Sequence, residues 1–137
     1  MSDKRIITYE AFQQAVYWLA TGLKDRGDSY DAVVGIPRGG LVLATYLAHR
    51  LEVKKVLSTD QSLCEIMYGR APRILLVDDI SDSGETFKKV LYNKFRHYTG
   101  EIVTASLAMR WNTTFKPDAA AMRVYTDEWL VFPWEKE

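Results

Sequence analysis

The stretch ILLVDDISDSGET, residues 74–86, decides the fold. Its first four residues form an apolar run, which predicts a buried strand, and a helical pattern begins after Gly84. A strand that leads through a glycine-containing turn into a helix usually binds phosphate, because the free amides of the first helical turn attract an anion. The same stretch carries four carboxylates: Asp78, Asp79, Asp82 and Glu85. So much negative charge beside a phosphate-binding turn needs a separate explanation.

A ligand that combines phosphate with a sugar explains this charge. The backbone amides of residues 81–86 can donate to the phosphate, and Gly84 lets the backbone approach it without an intervening Cβ atom. Three hydroxyl groups can add hydrogen bonds: those of Ser81, Ser83 and Thr86. Asp78 and Asp79 directly follow the apolar run, where their carboxylates can accept hydrogen bonds from sugar hydroxyls. An acidic rim would also tolerate a Mg²⁺ ion that bridges the sugar and further phosphates.

The composition fits one compact domain. The chain has 137 residues, of which 47% are apolar, and its 18 basic residues balance its 18 acidic ones. This neutral charge argues against a nucleic-acid partner. One cysteine and two histidines predict neither an internal disulfide nor a zinc site. The chain has no apolar run of roughly 20 residues for a membrane span and no secretion signal at its N-terminus, so we expect a soluble, cytoplasmic protein.

Helical and strand patterns alternate along the chain. Helical stripes of apolar residues run over 12–23, 41–51 and 87–98. Thr8 is the predicted N-cap of the first stripe, and Gly27 and Gly100 end the first and the third. Strand patterns cover 32–36, 54–58, 73–78 and 101–108, with weaker ones near 122–126 and 129–132. This order predicts an α/β fold, a parallel twisted sheet flanked by helices, with ligands at the carboxyl ends of the strands.

The acidic stretch resembles the PRPP-binding motif of the type I phosphoribosyltransferases. Three further segments resemble the bacterial xanthine–guanine branch of that family at matching places: MSDKRIITYE (1–10), VGIPRGGLV (34–42) and WLVFPWE (129–135). The resemblance therefore covers the start, the middle and the end of the chain. It implies a single phosphoribosyltransferase domain over residues 1–137, with a small C-terminal base-binding hood formed mainly by residues 109–137.

The resemblance also implies which residues bind PRPP: Arg38, Gly39, Asp78, Asp79, Asp82, Ser83, Gly84, Glu85 and Thr86. The turn 82–86 would hold the 5′-phosphate, and Asp78 and Asp79 would contact the ribose hydroxyls and Mg²⁺. Arg38 would contact the pyrophosphate within the turn ProArgGlyGly (37–40). Glu85 stands where family members often have Gly or Lys, and we expect its side chain to point to solvent.

The base-binding and catalytic residues follow from the same resemblance. Asp82 matches the acid that faces N7 of the purine and accepts or shuttles its proton, and Arg38 would stabilise the leaving pyrophosphate. Trp129 matches the aromatic residue that stacks on the base, and the backbone of Leu130 would read the base edge. Without the resemblance, Trp129 is more typical of a core residue, as are Phe132 and Trp134.

Two departures from the family pattern bear on function. The purine enzymes usually place a lysine against the 6-oxo group of the base, whereas Arg110 is the nearest candidate here and Lys116 is a more distant one. The family's mobile lid carries an adjacent Ser-Tyr pair, whereas the short segment 59–72, which predicts a loop, has Ser62 and Tyr68 apart.

Three functions remain open at this point. The first is transfer of the 5-phosphoribosyl group from PRPP to xanthine, guanine or hypoxanthine in purine salvage. The second is a non-catalytic regulatory protein that binds PRPP or a nucleotide, and the third is a transferase for a non-purine base. The family commonly forms dimers or tetramers, and exposed aromatic residues such as Tyr17, Trp18 and Tyr46 would suit such an interface.

Overall fold

The computed structural model describes residues 3–64, 66 and 73–136. Its helices are α1 (Tyr9–Asp25), α2 (Gly39–Leu51) and α3 (Glu85–Phe95). Its strands are β1 (Lys4–Ile6), β2 (Ala32–Gly35), β3 (Val56–Ser58), β4 (Arg73–Ser81), β5 (Glu101–Arg110), β6 (Ala119–Val124) and β7 (Trp129–Val131). The order in the main sheet is β3-β2-β4-β5-β6, and β1 pairs with β7 in a second, two-stranded sheet. All pairings are parallel, so the predicted α/β architecture is observed.

The helices form where the apolar stripes predict them, except that α3 ends at Phe95, before Tyr98 and the predicted helix end at Gly100. Thr8 caps α1, because its Oγ1 accepts a hydrogen bond of 3.1 Å from the Ala11 amide. Gly27 follows the helix with a positive φ of 76°, which a glycine adopts without strain. The stripe of α1 is buried as predicted, at Phe12, Ala15, Val16, Leu19, Ala20 and Leu23.

The main sheet separates two apolar clusters. Leu75 and Val77 of β4 pack with α1 and α2 on one face, and Ile74 and Leu76 pack with α3 on the other. Because both faces of this strand are covered, its sequence is continuously apolar rather than alternating. The acidic stretch therefore leaves the sheet from its central strand, between the two layers of helices.

Two strands extend three residues beyond their predicted boundaries, and the other predicted strands differ by at most two residues. β4 continues through Ser81, because Ile80 and Ser81 pair with Ala108 and Met109 of β5. Asp79 therefore lies within the strand, as Asp78 was predicted to do, and not after it. β6 begins at Ala119, three residues earlier than the predicted strand near 122–126.

The region predicted as a hood is divided between the two sheets. β6 belongs to the main sheet, whereas β7 pairs with β1 through the registers Lys4↔Trp129 and Ile6↔Val131. Sequence analysis did not predict β1, whose three residues are all exposed.

Two further predictions concern the lid and a membrane-spanning segment. Residue 65 and residues 67–72 of the predicted lid, including Tyr68, lie outside the described residues. Within the described part of the chain, no helix is long and apolar enough to cross a membrane.

Candidate active site

A cleft of about 900 Å³ opens at the carboxyl ends of β2 and β4. This is the edge at which parallel sheets of this kind bind ligands. The cleft brings together most of the predicted PRPP-binding residues: Arg38, Gly39, Asp78, Asp79, Asp82, Ser83, Gly84 and Thr86. Glu85 does not line it. Its side chain is 60% exposed and lies 3.9 Å from the Lys88 ammonium, so it points to solvent as predicted.

Two helices begin at the cleft without a side-chain cap. Arg38 precedes α2 and Gly84 precedes α3, and neither N-cap residue makes the side-chain hydrogen bond that Thr8 provides for α1. At the start of α3, the Glu85 amide donates to the Ser83 Oγ at 3.2 Å. The first amides of a helix have no partner within the helix and carry its positive dipole end. Two uncapped helix starts at one cleft therefore suit a ligand with two separate anionic groups.

The two glycines that begin α2, Gly39 and Gly40, allow this helix to approach β4. A Cβ atom on Gly39 would overlap the carboxylate of Asp79, and one on Gly40 would lie 2.6 Å from the Val77 carbonyl oxygen. Real Cβ atoms do not come so close to other heavy atoms. The peptide bond between Pro37 and Arg38 is cis. Both glycines are thus required by contact with the acidic strand, whatever the ligand.

The two aspartates of β4 are poorly solvated. Asp78 is 8% exposed, and its Oδ1 accepts a hydrogen bond of 2.9 Å from the Asp79 amide. The Asp79 carboxylate accepts one of 2.8 Å from the Ile80 amide. Burial, followed by the neighbouring Asp79 charge, raises the pKa of Asp78 to about 8. Burial also raises the pKa of Asp79 above its ordinary value. A bound diol or cation would stabilise the ionised form of these carboxylates, because it would supply hydrogen bonds or positive charge.

The oxygen-rich lining fits a hard cation that is held partly by its ligand. Four carboxylates line the cleft, at Asp78, Asp79, Asp82 and Glu135. Within the described residues, however, no three or more His, Cys, Asp or Glu side chains form a group that could hold a metal ion alone. Mg²⁺ usually binds through one or two carboxylates together with substrate phosphates and water. The aspartate pair suits that mode of binding.

Arg110 connects Asp82 to the segment before β7. Its Nε donates to the Asp82 carboxylate at 2.8 Å, and its Nη1 donates to the carbonyl oxygens of Thr126 and Glu128, both at 2.8 Å. The guanidinium is buried and does not line the cleft. The residue predicted to read the base is therefore largely engaged in contacts within the protein.

The two other predicted base-binding residues lie on β7, outside the cleft lining. Trp129 is 56% exposed and follows Glu128, whose carbonyl oxygen Arg110 binds. Leu130 is buried. Arg110 thus links the strand that carries Trp129 to the Asp82 side of the cleft, and the structure brings these residues near each other only through that contact.

Sequence analysis missed the contribution of the C-terminal segment to the cleft. The cleft lining includes Trp134, Glu135 and Lys136. Trp134, interpreted as core, does stack on Phe132 with ring centroids 5.1 Å apart, and it also faces the cleft. No periodicity marks these three residues, because they follow the last strand in a turn.

Comparisons with known proteins agree with this architecture. No protein-family model matches the chain. Its sequence is 29% identical to the xanthine-guanine phosphoribosyltransferase of Cereibacter sphaeroides, with 89% of this chain and 79% of that protein covered. It is 25% identical to the enzyme of the same name from Nitratidesulfovibrio vulgaris, with 96% and 84% covered. The crystal structure of the purine phosphoribosyltransferase from Pyrococcus horikoshii has a TM-score of 0.82 at 30% identity, covering 99% of this chain and 96% of that one. The predicted fold class is confirmed.

Proposed function

The chain belongs to the type I phosphoribosyltransferase family, and we propose that it transfers the 5-phosphoribosyl group of PRPP to a 6-oxopurine. Xanthine, guanine and hypoxanthine are the candidate bases, and the products are a nucleoside monophosphate and pyrophosphate in purine salvage. The observation that carries this proposal is the pair of helix starts without an N-cap side chain, on either side of the buried Asp78 and the half-buried Asp79. The relatives named above support a purine base.

PRPP fits the cleft with one group at each of three positions. The start of α3, with Ser83, Gly84 and Thr86, would bind the 5′-phosphate through backbone amides and hydroxyls. Asp78 and Asp79 would accept hydrogen bonds from the ribose hydroxyls. The start of α2, with the Arg38 guanidinium and the Gly39 amide, would bind the diphosphate. This arrangement separates the phosphates from the carboxylates and so explains the acidic turn.

The reaction needs stabilisation of charge and no covalent nucleophile. Positive charge develops on the ribose ring as the bond from C1 to the diphosphate breaks, and negative charge develops on the leaving group. Arg38 would stabilise the leaving diphosphate. Mg²⁺, when bound with Asp78 and Asp79, would supply further positive charge to the diphosphate. The exposed carboxylate of Asp82 would accept the proton from the purine nitrogen.

Arg110 would serve the base indirectly and directly. Its Nε holds Oδ1 of Asp82, which leaves Oδ2 for the purine nitrogen. Its Nη2 has no hydrogen-bond partner among the described residues and could donate to a 6-oxo group. The exposed ring of Trp129 would stack on the base, and the backbone of Leu130 would read its edge.

Three general properties are part of the proposal. The chain would act as one domain over residues 1–137, in the cytoplasm, and as a dimer or tetramer. The exposed rings of Tyr17 and Trp18, which pack edge to face at 5.5 Å on α1, support an interface at this helix.

A second candidate function is a regulatory protein that binds PRPP or a nucleotide without turnover. The occupied guanidinium of Arg110 favours it, because an arginine that is held by Asp82 and two carbonyl groups has less freedom to bind a base than the family's lysine.

Pyrophosphate release with PRPP and Mg²⁺, measured separately with xanthine, guanine, hypoxanthine and adenine, tests both functions. Turnover with a 6-oxopurine and none with adenine supports the enzyme. Absence of turnover with all four bases, together with PRPP binding by calorimetry, supports the regulator. Absence of PRPP binding contradicts both. Asp79→Asn should abolish turnover, whereas Asp25→Asn, at an exposed position in the last turn of α1, is the matched control and should not.

A further inference from the structure

We infer that the segment Thr113–Phe115, between β5 and β6, holds the phosphate-binding turn in its ligand-binding shape, and that Thr114 is its main positioning residue. The inference rests on the proposed function, since it assigns a role in PRPP binding to residues behind the cleft. None of the three residues lines the cleft.

Thr114 binds one carbonyl group of the turn twice. Its amide donates to the Ser83 carbonyl oxygen at 2.9 Å, and its Oγ1 donates to the same oxygen at 2.6 Å. In a trans peptide, the carbonyl oxygen and the following amide hydrogen point in opposite directions. Two donors on the Ser83 oxygen therefore fix the amide of Gly84 on the opposite side of that peptide plane. Gly84 lines the cleft, and its amide belongs to the proposed phosphate site.

The same segment contacts the turn at both of its ends. On the β4 side, the Ser81 hydroxyl, which is 1% exposed, donates to the Phe115 carbonyl oxygen at 2.7 Å and contacts the Thr113 hydroxyl at 3.0 Å. On the α3 side, the rings of Phe115 and Phe87 stack with centroids 4.9 Å apart and an interplanar angle of 16°. The turn is thus held where it leaves the strand and where it enters the helix.

Two features of the structure require a glycine at position 84: its backbone angle and its contact with residues 114 and 115. Its φ of 94° is one that other residues rarely adopt. A Cβ atom here would lie 2.5 Å from the Phe115 amide nitrogen and 2.7 Å from the Thr114 hydroxyl oxygen. The absence of a Cβ atom at Gly84 therefore lets Thr114 and Phe115 contact the turn on the side away from the cleft. This requirement is separate from the approach of a ligand on the cleft side.

The solvent exposure of Ser83 and Thr114 distinguishes a positioning role of the Thr114 hydroxyl from a role in the stability of the fold. Ser83 and Thr114 are both exposed, so their hydrogen bonds exchange readily with water and contribute little to the free energy of unfolding. A substitution that removes the Thr114 hydroxyl should therefore change the orientation of the turn more than the stability of the fold. Its effect should fall on PRPP and not on the base.

Thr114→Val removes the hydroxyl at nearly constant shape, and Thr114→Ser keeps it. The matched control is Thr45→Val, because the Thr45 hydroxyl also donates to a backbone carbonyl, that of Leu41, at 3.0 Å within α2. We expect Thr114→Val to raise the KM for PRPP about 5- to 20-fold, with the KM for the base and the Tm nearly unchanged. Thr114→Ser should restore the wild-type KM, and Thr45→Val should show no effect on it.

A rise in both KM values together, or the same rise in Thr45→Val, would overturn the inference. If the wild type binds PRPP without turnover, the dissociation constant replaces KM and the same comparison applies. If the wild type does not bind PRPP, the proposed function fails, and NMR order parameters of the amides of residues 82–86 decide the positioning role alone. Lower order parameters in Thr114→Val, but not in Thr45→Val, support it, and unchanged values refute it.

Discussion

Asp78→Asn should make the ligand-free protein more stable at pH 8 while it removes a residue that the proposed reaction needs. The pKa of Asp78 is raised from 3.8 to about 8, first by burial and then by the charge of Asp79. Each pKa unit corresponds to about 1.4 kcal/mol, so the ionised carboxylate destabilises the folded state by at most about 6 kcal/mol. Entry of water and rearrangement of Asp79 reduce this ceiling. We therefore expect a stabilisation of about 1–3 kcal/mol in the variant at pH 8.

The pH dependence has a definite sign. Below pH 3.8 the carboxyl of Asp78 is protonated in both the folded and the unfolded chain. Between that value and pH 8, the folded protein keeps the proton that the unfolded chain loses, so the stability of the wild type falls as pH rises. The stability contribution of the raised pKa is fully present below pH 3.8 and is lost once the pH passes about 8. Asparagine does not titrate, so the advantage of the variant should shrink at pH 5.

Urea unfolding followed by circular dichroism, at pH 5 and pH 8 and without PRPP or Mg²⁺, measures this difference. Asp25→Asn, at an exposed position, controls for the loss of one negative charge. An advantage that is equal at both pH values, or a variant that is less stable than the wild type at pH 8, would refute the reasoning. We also expect the variant to lose turnover, because the Asp78 carboxylate is proposed to bind the ribose hydroxyls and Mg²⁺. Functional sites often retain such groups although they lower stability.

Three further predictions concern the cleft and the base site. Gly39→Ala should raise the KM for PRPP at least about 10-fold, because its Cβ would overlap the Asp79 carboxylate; Gly22→Ala, whose Cβ would meet nothing within 4 Å, is the control, and similar kinetics in both variants would contradict the prediction. Asp82→Asn should lower kcat about 100-fold with little change in the calorimetric affinity for PRPP, whereas loss of that affinity would show that Asp82 shapes the turn. Trp129→Ala should raise the KM for the base about 10-fold and leave the Tm nearly unchanged, because the ring is 56% exposed. An equal rise in the KM for PRPP would place its role outside base stacking.

The elements that the sequence could predict are those whose burial leaves a pattern. β4 is buried on both faces, so residues 74–77 are continuously apolar. The turn that follows combines acidic, hydroxyl and glycine residues, which is a distinctive composition. That turn carries the family resemblance from which the PRPP-binding residues were predicted, and all of them except Glu85 line the cleft. The sequence could not predict β1, because three exposed residues carry no alternation and their pairing depends on β7 at the other end of the chain.

The contacts of Arg110 depend on strand register and could not be read from the sequence. Ser81 of β4 pairs with Met109 of β5. This register places the following residues, Asp82 and Arg110, side by side, and the Arg110 Nε donates to the Asp82 Oδ1 at 2.8 Å. A shift of the register would separate them. The position of Trp134 in the cleft lining was missed for a different reason. Trp134 lies in a turn after the last strand, and a turn has no periodic pattern that indicates where its side chains point.

The pairing of β1 with β7 has a consequence for the order in which the molecule assembles. The contacts between β4, β5 and the intervening α3 join neighbouring parts of the chain, whereas Lys4 pairs with Trp129 across almost its whole described length. Contacts between distant residues carry a larger loop-closure entropy and form later in folding. On the ribosome, β7 emerges after every other strand described here, and its partner is the strand made first. We therefore expect a nascent chain to form the proposed sugar-phosphate site before the proposed base site.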